Sequence, residues 1–411
     1  MVAALALIAL LLSGGLLSGC SLPQVSAEDR LFLKLSVDFL GAAELPKTPI
    51  EGVPVGGLSG LVYDRVSDRF YAISDDRSRN GPARFYTLKL NLDTSDASTP
   101  KISSLDVERV TPLKAPDGQP YPPDSLDPEG IALSPRQTLY IASEGIARQG
   151  VAPFIDEFAL ESGRWVSRLP IPDRFLPKTV NDQPQGVQDN LGFEALTLNL
   201  PGFNPSPGFL EPFRLFAATE APLWQDLPPT PPPSSSAIRS GAIASPPATS
   251  AETLVTTPAP IPVRLLHYLI GEDLPSLIAE HLYVLEPAPV GALSHGLSDI
   301  LVLSQAGHFL SLERSFGLEG TRVQLFQFVI SNATDTSGYP ALRGDLAGIQ
   351  PVRKRLLLDL NTLDIPLDNL EGLSLGPRLP DGSQTLLILS DDNFSDVQKN
   401  QVLLFRLRGM Q

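Results

Sequence analysis

The chain has 411 residues, 42% of them hydrophobic, and a formal net charge of −15 at pH 7. That is ample apolar content for a packed core, and a single repeat array can use the whole length as one domain. The excess of acid repels nucleic acid and anionic membrane at long range, so neither is an expected partner, whereas cations are drawn to such a surface.

Residues 1–20 are almost all Ala, Leu, Ile, Val, Gly and Ser and end in Leu17, Ser18, Gly19, Cys20. The run is uncharged and long enough to enter a bilayer. Small residues before a lone Cys resemble the lipobox of bacterial lipoproteins, a family in which the Cys becomes the lipidated N-terminus. No Lys or Arg precedes the run, which departs from the usual signal. The expectation is a signal peptide over 1–20, a lipid anchor at Cys20, a polar tether over 21–29 and an exported body, periplasmic or on the cell surface, with the anchor as its only membrane contact. A plain signal peptide or anchor is the alternative. Cys20 is the only cysteine, which excludes internal disulfides, thiolate metal sites and an internal cysteine nucleophile.

From residue 30 onward one pattern recurs. Its clearest copy runs from Leu126 to Glu144: a short apolar strand Ile131–Ser134 opened by Glu129 and Gly130, a turn at Pro135–Gln137, and a return strand Leu139–Ser143 closed by Glu144. Antiparallel pairing brings Glu129 and Glu144 to the same sheet edge. Gly57–Leu61 leads in the same way to Tyr71–Asp76, Asn190–Leu196 to Phe216–Glu220, Gly296–Ile300 to Phe309–Glu313, and Asn369–Leu373 to Ile388–Asp392. Each copy is followed by an alternating run (84–90, 152–160, 263–270, 322–330, 402–407) and preceded by another (31–39, 102–110, 164–169, 281–286, 353–360). Four strands repeated five times predict an all-β chain folded as a β-propeller of four-stranded blades over residues 30–411. The count gives five blades, with six as the alternative because one interval is long.

That interval holds the Pro- and Ser-rich segment 227–262, which lacks the apolar surface needed to order itself and reads as a disordered excursion between the last two strands of the third blade. The run 170–190, with Arg174, Lys178, Asn181 and Asp182, is long enough to lie over one face. His267, His281, His295 and His308 show no metal spacing and read as strand or surface histidines. Gly372-Leu373-Ser374-Leu375-Gly376 matches the nucleophile-elbow pattern, but Ser374 falls within a repeat strand with no helix after it, so the match is a coincidence.

Superposed, the copies send Asp75, Asp76, Glu129, Glu144, Glu194, Glu220, Glu313, Glu371, Asp391 and Asp392 to one face, near the axis. Two carboxylates about 5 Å apart repel by roughly 3 kcal/mol at an effective dielectric of 20. Such a cluster calls for a counter-cation, raised pKa values or arginine partners. Hard oxygen donors without thiolate or clustered imidazole favour Ca²⁺, and Arg77, Arg79 and Arg314 stand beside the acids. Acids at strand ends also cap neighbouring turns, so a purely architectural ring is the competing account.

The Glu-Gly-Ile and Glu-Gly-Leu openings, the Ser-Asp-Asp closings, Asn190–Leu196 and Asn369–Leu373 resemble the phytase-like, or "esterase-like activity of phytase", family of exported bacterial proteins, over about residues 31–407. The resemblance implies a metal-dependent phosphoesterase: carboxylates hold Ca²⁺, which binds phosphate oxygens. On that reading Asp75, Asp76, Glu129, Glu194 and Glu371 are ligands, Arg77 and Arg314 grip phosphate, and these two arginines with Glu129 and Glu194 are the catalytic candidates. The partner is a divalent cation or a small phosphorylated substrate and the protein a monomer. The alternative is a non-catalytic surface propeller that binds a protein or glycan.

Overall fold

The computed structural model describes residues 31–199, 211–228, 260–272, 274–304 and 307–410. The signal peptide, Cys20, the tether and most of the Pro-rich insertion lie outside the described residues.

After β1 (Ser36–Leu45) the first blade is β2 (Leu58–Asp64), β3 (Arg69–Ser74), β4 (Arg84–Asp93) and β5 (Lys101–Pro112). The second is β6 (Pro128–Leu133), β7 (Thr138–Ser143), β8 (Phe154–Ala159) and β9 (Trp165–Arg168). A small hairpin, β10 (Lys178–Val180) with β11 (Gln183–Gln185), occupies the run 170–190. The third blade is β12 (Phe193–Asn199), β13 (Phe213–Thr219), β14 (Ile261–Ile270) and β15 (Ser276–Leu285). The fourth is β16 (Ala292–Ser304), β17 (His308–Gly317), β18 (Gly320–Val329) and β19 (Arg353–Asp359). Then come β20 (Asn369–Arg378), β21 (Gln384–Asp391) and β22 (Asn400–Arg408), to which β1 adds as the fourth strand of the fifth blade. All ladders are antiparallel, and the helical turns among the described residues are four three-residue 3₁₀ segments.

Five blades are present, and two details differ from the sequence reading. The strand that precedes each Glu-Gly copy belongs to the blade before it, so the opening strand, expected at 31–39 and found at Ser36–Leu45, closes the ring by pairing with β22 from Ser36↔Arg408 to Leu45↔Asn400. For the same reason the insertion is flanked by the second and third strands of its blade, β13 and β14, and its last two residues, Ile261 and Pro262, already belong to β14.

The core follows from period-two alternation in strands buried on both faces. In β3, Phe70 and Ala72 join the apolar cluster between the fifth and first blades, while Tyr71 and Ile73 join the one between the first and second. In β13, Leu215 and Ala217 face the second blade and Phe216 and Ala218 the fourth. β21 divides likewise, Leu387 and Leu389 one way and Leu386 and Ile388 the other. Five clusters thus fill the five blade interfaces.

The first strands of the blades touch one another around the axis: β2 meets β6 and β20, β12 meets β6 and β16, and β16 meets β20. This approach leaves no room for side chains at Gly60, Gly130 and Gly372. A Cβ on Gly60 would stand 2.6 Å from the Glu129 carbonyl oxygen, one on Gly130 2.7 Å from that of Glu194, and one on Gly372 3.0 Å from that of Ser59. Gly60→Ala and Gly130→Ala should each lower stability by about 1–3 kcal/mol, as backbone oxygen cannot yield, and Gly372→Ala by less. Urea unfolding of the three variants checks the order.

Candidate functional site

The site begins with a repeated irregularity. In each blade the ladder between the first two strands carries a β-bulge at the marker position: at Ser59, at Glu129 with Gly130, at Glu194, at Ser298 and at Glu371. A bulge leaves the extra residue unpaired and re-aims its side chain. One step above this ring, at or just past the ends of β3, β7, β13 and β21 and within β17, stand Asp75, Glu144, Glu220, Arg314 and Asp391. They are matched by register because their predecessors Ser74, Ser143, Thr219, Glu313 and Ser390 occupy equivalent ladder positions. Opposite them lie Gly57, Asp127, Gly192, Gly296 and Asn369; the amides of Asp75, Glu144 and Glu220 donate to the carbonyls of Gly57, Asp127 and Gly192 at 2.8, 3.0 and 2.8 Å.

Glycine in this third set makes room for the preceding blade's acid. The Gly192 amide donates to Glu144 Oε1 at 2.7 Å, and a Cβ on Gly296 would stand 2.4 Å from Glu220 Cγ.

The rings enclose a cavity of about 890 Å³ lined by ten carboxylates and three arginines, Arg77, Arg79 and Arg314. Within it two trios have carboxylate oxygens within 4.8 Å of one another: Asp127, Glu129 and Glu144, and Glu144, Glu194 and Glu220. Glu144 belongs to both. At that spacing each pair of charges repels by about 3 kcal/mol at an effective dielectric of 20. All five are buried, and none is a sulfur or imidazole donor. The trios therefore have the composition of a hard-cation site.

Burial first and the neighbouring charges second push Glu129, Glu144 and Glu194 well above the usual carboxylate range. Glu220 is pushed up to about 7 by burial, against the pull of Arg314. Asp75 and Asp391 are raised in the same way, each repelled by the other's blade and by Glu371.

The two arginines of the sequence reading sit within this acid. Arg77 donates from Nε to Asp127 Oδ1 at 2.7 Å and from Nη2 to the other Asp127 oxygen and to Asn190. Arg314 reaches Glu371 Oε1 at 2.9 Å and Glu220 Oε1 at 3.6 Å from Nη2, Ser298 Oγ at 3.3 Å from Nε, and Asn369 from Nη1. Both neutralise carboxylates.

Of the ten acids expected on this face, Asp75, Glu129, Glu144, Glu194, Glu220, Glu371 and Asp391 are brought together around the cavity. Asp76 lies at its edge, but its carboxylate accepts from Arg84 Nη1 at 2.7 Å and from the amides of Arg79 and Asn80, which ties down the following loop. Asp392 is turned behind the wall, accepting from the Gly57 amide at 2.7 Å and pairing with Lys47 at 2.7 Å. Glu313 does not join the group. It accepts from the Tyr283 hydroxyl at 2.7 Å and the Glu286 amide at 2.9 Å and pairs with Lys354. The fourth blade is offset by one residue, so its ring position is Arg314.

Asp127 and Asp299 are additions. Asp127 precedes Pro128-Glu129, and only the ladder register reveals it as a third-ring residue. Asp299, below the bulge of the fourth blade, accepts from the Leu373 amide at 2.7 Å and the Ile300 amide at 2.8 Å, joining two inner strands. Ser374 Oγ donates to the Leu375 carbonyl within β20, and no helix follows it. None of the four histidines lines the cavity.

The profile of one protein family, described as phytase-like, esterase-like activity of phytase, matches residues 53–394. No curated protein sequence matches the chain. Among solved structures, it is similar to an endo-arabinase from Bacteroides thetaiotaomicron VPI-5482, at 11% identity and a TM-score of 0.38 over 85% of this chain and 93% of that one. It is also similar to an α-L-arabinofuranosidase from Lactobacillus brevis, at 9% identity and a TM-score of 0.37 over 86% and 91%.

Carboxyls whose folded pKa exceeds the unfolded value of about 4 make the native state bind more protons than the unfolded one between those two values, so stability falls as pH rises through that window. Without divalent cation, thermal stability should therefore drop as pH rises from about 4 through the region near 7 where Glu220 titrates. Calcium should restore it at pH 8 and have little effect at pH 4.5. Melting curves in chelator and in calcium across that range measure both.

Proposed function

The chain belongs to the phytase-like family, described as esterase-like activity of phytase, and from that membership and the acidic cavity we propose an exported phosphoric monoester hydrolase that works with calcium. The observation that carries the reading is the pair of buried carboxylate trios joined through Glu144. Asp127, Glu129 and Glu144 would hold one ion, and Glu144, Glu194 and Glu220 a second. Calcium bound there would add positive charge to that of Arg77 and Arg314 and supply an electrostatic grip on phosphate oxygens.

The chain's own residues supply the rest. Arg77 is fixed by Asp127 through Nε and Nη2, and its Nη1, with no acceptor among the described residues, is placed to orient an anionic head. Arg79, about half exposed at the rim, steers the same anion inward. Arg314 pairs with Glu371 and partly offsets the burial that raises its carboxyl. Asp75 and Asp391 belong to neither trio, and burial together with the neighbouring carboxylates raises both, which suits either to carry a proton in the cavity they line. That proton is available to the departing alcohol oxygen as the phosphorus–oxygen ester bond breaks and water adds to phosphorus. The substrate is a small phosphorylated molecule and the protein acts as a monomer, with lipid at Cys20 as its membrane attachment and no nucleic acid partner.

Release of phosphate from phytate and from para-nitrophenyl phosphate should require calcium and stop with chelator. Glu144→Gln, which touches both trios, should lower the rate by about 100-fold or more. The same variant should raise the melting temperature of the cation-free protein at pH 8, because it removes one member of the repelling group, which separates loss of function from loss of fold. Tight calcium binding without phosphate release from either substrate would leave a non-catalytic surface propeller as the reading.

A further inference from the structure

The fourth blade departs from the other four above the cavity. β3, β7 and β13 stop immediately before their ring residues and β21 stops at its own, but β17 continues three residues past Arg314 to Gly317, about 10 Å further along the strand. β16 rises with it, pairing Ser294 with Phe316 and Ala292 with Gly317, and β18 completes the raised sheet through Phe316↔Thr321. Ser294, Phe316 and Thr321, paired across three strands, all line the acidic cavity, so one wall of that cavity carries no charge.

This wall is continuous with an apolar ledge. Val290 is 97% exposed, Leu318 87% and Phe316 48%. A groove of about 320 Å³ runs among Val290, Leu318, Phe316 and Thr321, bordered by Glu319 and Arg322. Phe316 and Thr321 line both hollows. On the neighbouring fifth blade Val397, 88% exposed, adds a further apolar surface to the cavity. Exposed apolar side chains this large and this close together mark a surface that is covered in use.

We infer that the ledge is the subsite for the leaving group of the proposed hydrolysis, and that the substrate is a phosphate monoester carrying an apolar chain, bound as a single molecule. The inference rests on the phosphoesterase reading and adds the chemistry of the substrate to it. The argument is continuity and contrast. Glu220 of the second trio abuts Gly296 on the fourth blade, so an anionic head held through calcium there can turn its ester oxygen towards the uncharged wall, and whatever is attached to that oxygen then passes over Phe316 into the groove beside Leu318 and Val290. A hydroxylated ring would bury little apolar surface against these side chains, whereas an alkyl or aryl chain loses water to them along its length. The chain's net charge of −15 disfavours an anionic bilayer as the occupant.

The test is binding of non-hydrolysable phosphonates to the full-length protein in calcium, measured by titration calorimetry. Octylphosphonate should bind about tenfold or more tighter than ethylphosphonate, with a negative heat-capacity change, as its chain buries several methylenes. The double variant Val290→Asp with Leu318→Asp should collapse that ratio towards one. Val66→Asp, at a 90% exposed turn between β2 and β3, should leave the ratio as it was. Equal affinity of the two phosphonates in the native protein overturns the ledge while the phosphoesterase reading stands, and no binding of either overturns both. A ratio of one together with co-sedimentation on phosphatidylcholine vesicles that Val290→Asp with Leu318→Asp weakens, or with a dimer that Leu318→Asp dissociates, gives the ledge to a membrane or a second copy and equally overturns the proposal.

Discussion

Mutual repulsion among carboxylates gathered at the axis is the constraint that the rest of this molecule answers to. Five inner strands meet around the axis, closely enough at Gly60, Gly130 and Gly372 that a side chain would strike the next strand, and at that waist each blade carries a bulge. Glu129, Glu194 and Glu371 come from the bulges and Asp75, Glu144, Glu220 and Asp391 from the strand ends above them, in a setting where burial weakens the screening that water would provide. The apolar interfaces between blades must hold this arrangement against its own electrostatics. Protonation, Arg77 and Arg314 relieve part of it. The trios have no cationic side chain among their own members, so a divalent ion is the relief that their composition invites.

The ring is not symmetric in charge. Both trios draw only on the second and third blades, while the first and fourth contribute Ser59 and Ser298 at the bulge positions and the fourth places Arg314 where the others have acids. Arg314 in turn engages Glu371 from the fifth blade. The two trios thus lie on the second and third blades, while Arg314 and the raised, uncharged wall lie on the fourth. An asymmetric ligand would be held in one orientation by such a division.

Much of this was legible in the sequence because the repeat is carried by side chains with strong backbone preferences. Glu129-Gly130 and Glu371-Gly372 mark bulges beside a close approach, and alternation around Tyr71, Ile141 and Ile388 marks strands buried on both faces. Two kinds of information were not local. The phase of the blades depends on which strand pairs with which, and the run before each marker reads identically whether it opens one blade or closes another. The fourth copy fails by one residue: Glu313 and Arg314 are adjacent, and only the ladder shows that Leu297 faces Glu313, leaving Arg314 at the ring. Asp127 was invisible for a related reason, since its equivalents are Gly57, Gly192, Gly296 and Asn369, and nothing in residue type joins an aspartate to that set.

The pairing of Ser36–Leu45 with Asn400–Arg408 has a consequence for assembly. β22 is the partner of β1, so the circle cannot be completed until residue 408 has emerged, and the edge of β1 must wait for all the intervening blades. Once closed, the two ends of the ring lie side by side. Opening the circle at a loop between two other blades and splicing the present ends should give a permuted chain with the same five interfaces, since nothing at the axis depends on where the polypeptide happens to start.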